Sequence, residues 1–391
     1  MSALPESIKA LQVLPDLKGV QVVTIPWASQ EKVQNLADNE IIIRVRAVGL
    51  NPTDWKHAMS QLGRPGAISG CDAAGDVVKV GAAVKHLKVG DRAAGFTYGG
   101  SWQKDNGAFA EYARFAGAVC FKLPDDMTYE EASSFPIPHL TAVRALYMRL
   151  GLPKPDTKAA NEKILIWGGS TAVGHHTIQL AKLSGLTVFV TASPGAHEEL
   201  KALGADHCFD YKDTDVVSKI TSADGGADII YGVDAVTEKD TTDLIVDAMS
   251  KTRGGTIITT LPISNETKNR RADVSVEFML VYTELGYELT VANAAVIAAL
   301  KEGGKSQDVP KVLSGWIAVV AALKEDEERT LEYVLQDMPK VLSGWKAGQG
   351  APKFKTQRLR KMQGGLDNIG EGLKIMAEGN YGREKLVYTI A

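Results

Sequence analysis

Cysteine is scarce: Cys71, Cys120 and Cys208 are the only three in 391 residues. They are too few and too scattered for a disulfide framework, and no CxxC pair exists, which excludes a structural zinc ribbon. Free thiols fit a reducing compartment, so a cytoplasmic location is expected. Charge of one sign is also lacking: 44 Lys and Arg face 47 Asp and Glu, a net charge of −3. Such a chain has no global pull toward nucleic acid or an anionic membrane, and neither is expected as a partner. No apolar run approaches the ~20 residues of a membrane helix. Met1-Ser2-Ala3-Leu4-Pro5-Glu6 has no basic start before an apolar run, so no secretory signal is expected there. With 45% hydrophobic and 23% charged residues the composition is that of a folded globular chain. At roughly 150 residues per domain, two to three domains are expected. What is plentiful is glycine, 38 residues, which favours a turn-rich sheet protein or a nucleotide-binding one.

The rhythm of the chain changes near Pro136-Ile137-Pro138. Before it, short β-rich runs are punctuated by glycine: Glu40 to Val48, Ala73 to Val80, Ala93 to Phe96 and Gly107 to Phe115. That pattern predicts a small β-barrel or sandwich. After it, the chain alternates. His139 to Leu150 reads as helix, Lys163 to Trp167 as a buried strand, Thr177 to Ser184 as helix, Leu186 to Thr191 as strand, and Glu198 to Leu203 as helix. Ala227 to Val233 and Gly255 to Leu261 are further strands. Strand and helix alternating in ~30-residue units predict a doubly wound parallel sheet, an α/β fold. Residues 291–360 read as mostly helical and carry a near-repeat, Asp308 to Trp316 and Asp337 to Trp345. Two copies do not make a solenoid. A local duplication within an insertion and a duplicated docking surface, with Lys311 and Lys340 facing an acidic partner, are both open.

The strongest chemical signal is Trp167-Gly168-Gly169-Ser170-Thr171-Ala172-Val173-Gly174, which follows a strand and opens a helix. Glycines allow a tight turn and close approach of backbone to a pyrophosphate resting on the helix N-terminus. The strict GxGxxG is not met, because Thr171 and Ala172 stand where glycines are usual. Gly169, Ser170, Thr171, Ala172, Val173 and Gly174 are the expected cofactor loop. An NAD-preferring site wants an acid about 20 residues later, on the ribose 2′-hydroxyl. Here Val190-Thr191-Ala192-Ser193-Pro194-Gly195 has none before Glu198. The expected cofactor is therefore NADPH, with Thr191, Ser193, Lys201 and Tyr211 as candidates for its 2′-phosphate.

Gly49-Leu50-Asn51-Pro52-Thr53-Asp54-Trp55-Lys56, Gly70-Cys71-Asp72-Ala73-Ala74-Gly75 and Val89-Gly90-Asp91-Arg92-Ala93, together with that loop, resemble the medium-chain dehydrogenase/reductase superfamily. The order covers almost the whole chain. Within it the sequence is similar to zinc-independent fungal trans-acting enoyl reductases and quinone-reductase-like members. The resemblance implies a split GroES-like β-barrel catalytic domain, residues 1–139 and 295–391, with a helical insertion over about 295–360. It implies a Rossmann NADPH-binding domain over 140–294, and a cleft holding the nicotinamide. It also leaves monomer and homodimer both open, the dimer forming through an edge strand near 274–290.

Alcohol dehydrogenases of the superfamily hold zinc with Cys, a Gly-His-Glu and a later Cys. The matching places here are Asn51 and Cys71-Asp72, and the loop Tyr98 to Gly107 lacks the four cysteines of a structural zinc lobe. No metal is expected. Without a Lewis acid, reduction of a carbonyl is disfavoured against hydride addition to an activated C=C, whose charge delocalises into an enolate. The resemblance implies an NADPH-dependent ene or enoyl reductase acting on a small α,β-unsaturated carbonyl compound, free or bound to a synthase carrier. The alternatives are an NADPH:quinone oxidoreductase and a non-catalytic NADPH-binding protein. Lys56 is the candidate to hydrogen-bond the carbonyl oxygen, and Thr141 resembles the family threonine near the nicotinamide. Asn51 either binds the nicotinamide ribose or holds its turn. Tyr98 and Tyr147 are acids or pocket walls, Asp234 shapes the cofactor cleft, and Leu261 and Ile263 line the nicotinamide side.

Overall fold

The computed structural model describes residues 4–60, 62–101, 103–155, 161–285, 325–343 and 354–390. The chain divides into two compact units: 1–137 with 282–347 and 356–391, and 138–281 with 348–355. The first copy of the near-repeat, Lys311 included, lies outside the described residues. So do most of 295–360 and the end of the 274–290 stretch. Of the second copy, Met338–Leu342 is helical.

The first unit is built on antiparallel strands. In chain order they are β1 (Ser7–Val13), β2 (Val20–Pro26), β3 (Glu40–Gly49), β4 (Asp72–Val80), β5 (Arg92–Phe96), β6 (Tyr112–Ala116) and β7 (Phe121–Lys122). β1 and β2 form a separate hairpin. Its second strand is largely uncovered, although Val20, Val23 and Ile25 pack against the buried core. β3 is central, pairing with β4 and β6, because Ile41, Ile43, Val45 and Val48 are all buried. The register of β3 against β4 slips at Ile42/Ile43 and again at Val45/Ala47. Such bulges bend and twist a sheet toward closure. Of the Gly107 to Phe115 run, only the latter half enters a strand.

In the second unit β8 (Lys163–Trp167), β9 (Thr187–Thr191), β10 (His207–Phe209), β11 (Tyr231–Asp234), β12 (Gly255–Thr259) and β13 (Val274–Phe278) form one parallel sheet. Its order is β10-β9-β8-β11-β12-β13. Ile164, Leu165, Ile166, Val188, Phe189 and Val190 are fully buried, the near-continuous apolar reading of strands covered on both faces. The order reverses at β8, whose neighbours are β9 and β11. Connections from those two sides diverge there and open a crevice beyond the strand ends. The helical reading of His139 to Leu150 is resolved into a helix, Pro136–Val143, and a wider π turn, Arg144–Arg149.

The chain then returns to the first unit. β14 (Leu359–Met362) and β15 (Lys385–Thr389) pair in parallel, and β15 runs antiparallel to β3 with Val387 opposite Gly49. Between them the helix Gly365–Ala377 buries Leu366, Ile369, Leu373 and Met376 at its 3–4-residue spacing in the β3 core.

Candidate functional site

The glycine loop sits at the reversal point of the parallel sheet. Gly168 has φ +85°, and a Cβ there would come within 2.4 Å of Val236 Cγ2. A Cβ on Gly174 would stand 2.3 Å from the Gly168 carbonyl oxygen. Both positions accept only glycine without displacement, so the loop folds tightly onto its own helix. Thr171 caps that helix, Ala172–Leu183: its hydroxyl accepts from Gly174 N at 3.0 Å and donates to Gly168 O at 2.8 Å. The next two N–H groups, on Ala172 and Val173, have no intrahelical acceptor and head a helix of 12 residues. They are what an anion at this end would bind. Gly169 is buried and Ser170 half-buried. The residues present therefore fit a dinucleotide pyrophosphate.

The other residues singled out in the second unit separate into groups. Thr191 is fully buried, and its hydroxyl accepts from Gly168 N at 3.2 Å. It holds the loop against β9 instead of facing a 2′-phosphate, a correction to its sequence reading. Ser193 follows it at the strand end, half-buried, and among the described residues its hydroxyl makes no hydrogen bond. Lys201 is exposed and paired with Glu198 at 3.0 Å. Tyr211 is exposed too. Leu261 and Ile263 follow β12, both half-buried, and Thr259 Oγ1 fixes the turn by donating to Leu261 O at 2.9 Å. Asp234 is fully buried. Its Oδ1 accepts from Val236 N and Thr237 N, and its Oδ2 from the hydroxyls of Thr241 and Thr242, which fits a role in shaping the loop after β11. Thr141 is buried in Pro136–Val143. Tyr147 is buried, with its hydroxyl 3.2 Å from Ser184 Oγ.

In the first unit the turn at Asn51 opens the helix Pro52–Met59, with proline at its first position, where no N–H is needed. Lys56 lies in the last turn of that helix, half-buried, its ammonium 5.7 Å from the Trp55 ring and without an ion pair among the described residues. Asn51 itself is buried with both ends of its amide engaged. Nδ2 donates to Asp72 Oδ2 at 2.9 Å, and Oδ1 accepts from Lys385 Nζ at 2.5 Å. These bonds fit the turn-holding reading, and each end of the amide keeps one further hydrogen-bonding position.

Around Asn51 lies a buried polar cluster that the sequence reading did not assemble. Asp54 Oδ2 accepts from Asn51 N at 2.6 Å, and the Cys71 thiol also acts on the Asp54 carboxyl. Asp72 Oδ1 accepts from Ile137 N at 3.1 Å, at the start of the Pro136–Val143 helix. The Cys71 thiol lies 3.3 Å from the Tyr282 hydroxyl, which donates to Thr53 Oγ1 at 3.1 Å. Tyr98 stacks on Tyr282 with ring centroids 4.0 Å apart. Burial raises the Asp54 carboxyl to about 7 and the Asp72 carboxyl to about 6, and pushes the Cys71 thiol well up and the Lys385 amine down.

This donor set does not fit a divalent metal. Asn51 offers an amide, the Cys71 thiol is held protonated, and Asp72 has both oxygens engaged, with the Lys385 ammonium 3.7 Å away. Among the described residues no three His, Cys, Asp or Glu side chains gather to hold an ion. Nor, among them, is any helix long and apolar enough to cross a membrane.

Known proteins match both halves of this description. Residues 37–125 match the alcohol dehydrogenase GroES-like domain, and 172–281 the zinc-binding dehydrogenase domain. A trans-enoyl reductase of Alternaria alternata is 36% identical over 377 residues, 95% of this chain and 96% of its own. One from Cochliobolus carbonum is 37% identical over 67% of this chain and 87% of its own. The fold is shared with the CurK enoyl reductase, at TM-score 0.64 and 17% identity over 99% of this chain and all of that one. It is shared equally with the quinone oxidoreductase of Coxiella burnetii, at TM-score 0.65 and 22% identity over 98% of this chain and all of that one. A GroES-like antiparallel unit, a Rossmann-type parallel sheet with its glycine loop at the reversal point, and a relative 36% identical over 95% of the chain place it in the medium-chain dehydrogenase/reductase superfamily of oxidoreductases.

Proposed function

We propose that the protein is a zinc-independent, NADPH-dependent enoyl reductase. It reduces the C=C of an α,β-unsaturated carbonyl compound, an acyl chain borne on a separate synthase carrier being the natural form. The observation that carries the reading is the loop Gly168–Gly174 with its two unsatisfied N–H groups, in a chain that aligns over nearly its full length with proteins named trans-enoyl reductases. Bound there, NADPH supplies a hydride to the β-carbon, and a proton then joins the α-carbon. Ala172 and Val173 hold the pyrophosphate, Leu261 and Ile263 border the nicotinamide side, and Thr141 positions it. We assign to the Lys56 ammonium, which has no ion pair among the described residues, a hydrogen bond to the carbonyl oxygen as it becomes an enolate. For the 2′-phosphate the support is the Ser193 hydroxyl, without a hydrogen bond among the described residues, and the absence of an acid between β9 and Glu198. The exposed Lys201–Glu198 pair is worth little, so Lys201 can turn to a phosphate. Free thiols suit a reducing compartment such as the cytoplasm.

The test is turnover with NADPH and a panel of enones, enals, unsaturated thioesters and quinones, followed through absorbance of the reduced cofactor. Saturated carbonyl products support the reading. Turnover of quinones alone, or of nothing in the panel, overturns it.

A further inference from the structure

A lysine that is only 5% exposed, inside a sheet, must be held there by its partners. Taking an ammonium out of water is costly unless other groups replace the water. Lys385 opens β15, and the antiparallel register that sets Val387 opposite Gly49 brings Lys385 opposite Asn51; Leu50 N donates to Leu386 O at 2.9 Å between them. The stem then crosses β3 at Gly49, where a Cβ would lie 3.2 Å from Lys385 Cε. A glycine in the crossed strand leaves room for a methylene stem. Beyond it the ammonium donates to Asn51 Oδ1 at 2.5 Å and faces Asp72 Oδ2 at 3.7 Å. The carboxyl of Asp54 and the thiol of Cys71 also feel its charge.

These are the same side chains whose donor atoms were weighed for a divalent ion. A cation is already among them, and it is covalently part of the chain. We propose that the Lys385 ammonium is the resident cation of the Asn51–Cys71–Asp72 donor set, occupying the space a metal ion would need and fixing Asn51 at the head of the Pro52–Met59 helix. The inference deepens the zinc-independent part of the reading above and rests on that part only. Its consequence is specific. Charge and space keep a divalent ion out while the ammonium is there, and removing it frees Asn51 Oδ1 and Asp72 Oδ2 to face one. The protonated thiol of Cys71 then has a reason to ionise, because a bound divalent ion lowers a thiol's proton affinity outright. Asn51 then loses the Lys385 partner of its side-chain carbonyl oxygen and keeps the bonds to Asp54 and Asp72.

The experiment uses cobalt(II) as the probe and the full chain, freed of metal with a chelator. The parent, Lys385→Met and the double variant Lys385→Met/Cys71→Ser are titrated and read by near-ultraviolet thiolate-to-cobalt absorption, with circular dichroism checking that each is folded. The parent is expected to show no Cys71-dependent band. Lys385→Met is expected to bind cobalt at least tenfold more tightly than the parent, with a band that the double variant loses. A Cys71-dependent band in the parent overturns the proposal, and so does a folded Lys385→Met that gains no cobalt. Should Lys385→Met not fold, Lys385→Gln, neutral and able to donate to Asn51, takes its place with the same expectations. An experimental structure of the parent with Nζ out of hydrogen-bond reach of both Asn51 and Asp72 overturns the proposal without any variant. None of these readouts uses turnover, so a failed reductase panel and a failed cobalt titration are told apart.

Discussion

The Lys385 ammonium bonds the Asn51 amide oxygen at 2.5 Å although 334 positions separate them in the chain. The C-terminal strand therefore reaches back to fix the turn that carries Lys56, and the cluster around it has one cation for two buried carboxyls.

That imbalance gives the stability a pH dependence. Asp54 is raised from 3.8 to about 7 by burial, so the folded state holds a proton that the unfolded chain releases. Its stabilising share is complete below about pH 4 and is lost as the pH rises through about 7. Asp54→Asn removes the group. Against the parent, its stability should decline less between pH 5 and pH 8, by on the order of 2–3 kcal/mol if the full shift is felt. Urea unfolding of both proteins across that range checks it, and parallel curves contradict it.

Gly174 stands where the cap of the loop helix leaves no space. Gly174→Ala sets a Cβ 2.3 Å from the Gly168 carbonyl oxygen, a backbone atom that cannot turn aside. The loop must open, and NADPH affinity should fall at least about tenfold, roughly 1.4 kcal/mol. Calorimetric titration measures it. Unchanged affinity would remove this loop from the cofactor site.

Ser193→Asp places a carboxylate at the end of β9, where a 2′-phosphate is expected and a 2′-hydroxyl is not harmed. The ratio of NADPH to NADH affinity should drop by about 100-fold or more, with NADH binding held or improved. A ratio that stays put would move the 2′-phosphate elsewhere.

Lys56→Met keeps the stem of the side chain and deletes its ammonium. If that charge steadies an enolate, kcat should fall by about 10²-fold with the NADPH dissociation constant unchanged, the size seen when one stabilising donor is lost. A parent-like kcat at saturating cofactor and substrate makes Lys56 a bystander.

The fold was largely legible, and for local reasons. Lys163–Trp167 and Thr187–Thr191 are apolar on both faces, and short runs of that kind on either side of a glycine loop and helix fit little but buried parallel strands. The β1–β2 hairpin was missed although Val20-Gln21-Val22-Val23-Thr24-Ile25 is rich in β-branched residues, because that run lacks the strict alternation of a half-buried strand. In the cofactor loop, spacing sufficed because the chemistry lies in consecutive backbone atoms. Thr191 misled because a hydroxyl at a strand end looks the same whether it turns to a ligand or, as here, to Gly168 N. The Asn51 cluster needed topology. Asn51, Cys71, Tyr282 and Lys385 come from distant segments, and only the pairing of β15 with β3 brings the last to the first. One signal was present, a lysine opening an otherwise apolar terminal strand, Lys385-Leu386-Val387-Tyr388.

The most direct test of enoyl reduction is isotopic. Metal-free protein is given an α,β-unsaturated thioester and NADPH carrying deuterium at the transferring position, and the product is analysed by mass spectrometry and NMR. The account predicts a saturated thioester with one deuterium on the β-carbon and a solvent proton on the α-carbon, at a rate unaffected by chelator. Recovery of unreduced thioester, or deuterium on the carbonyl carbon of an alcohol product, would contradict it.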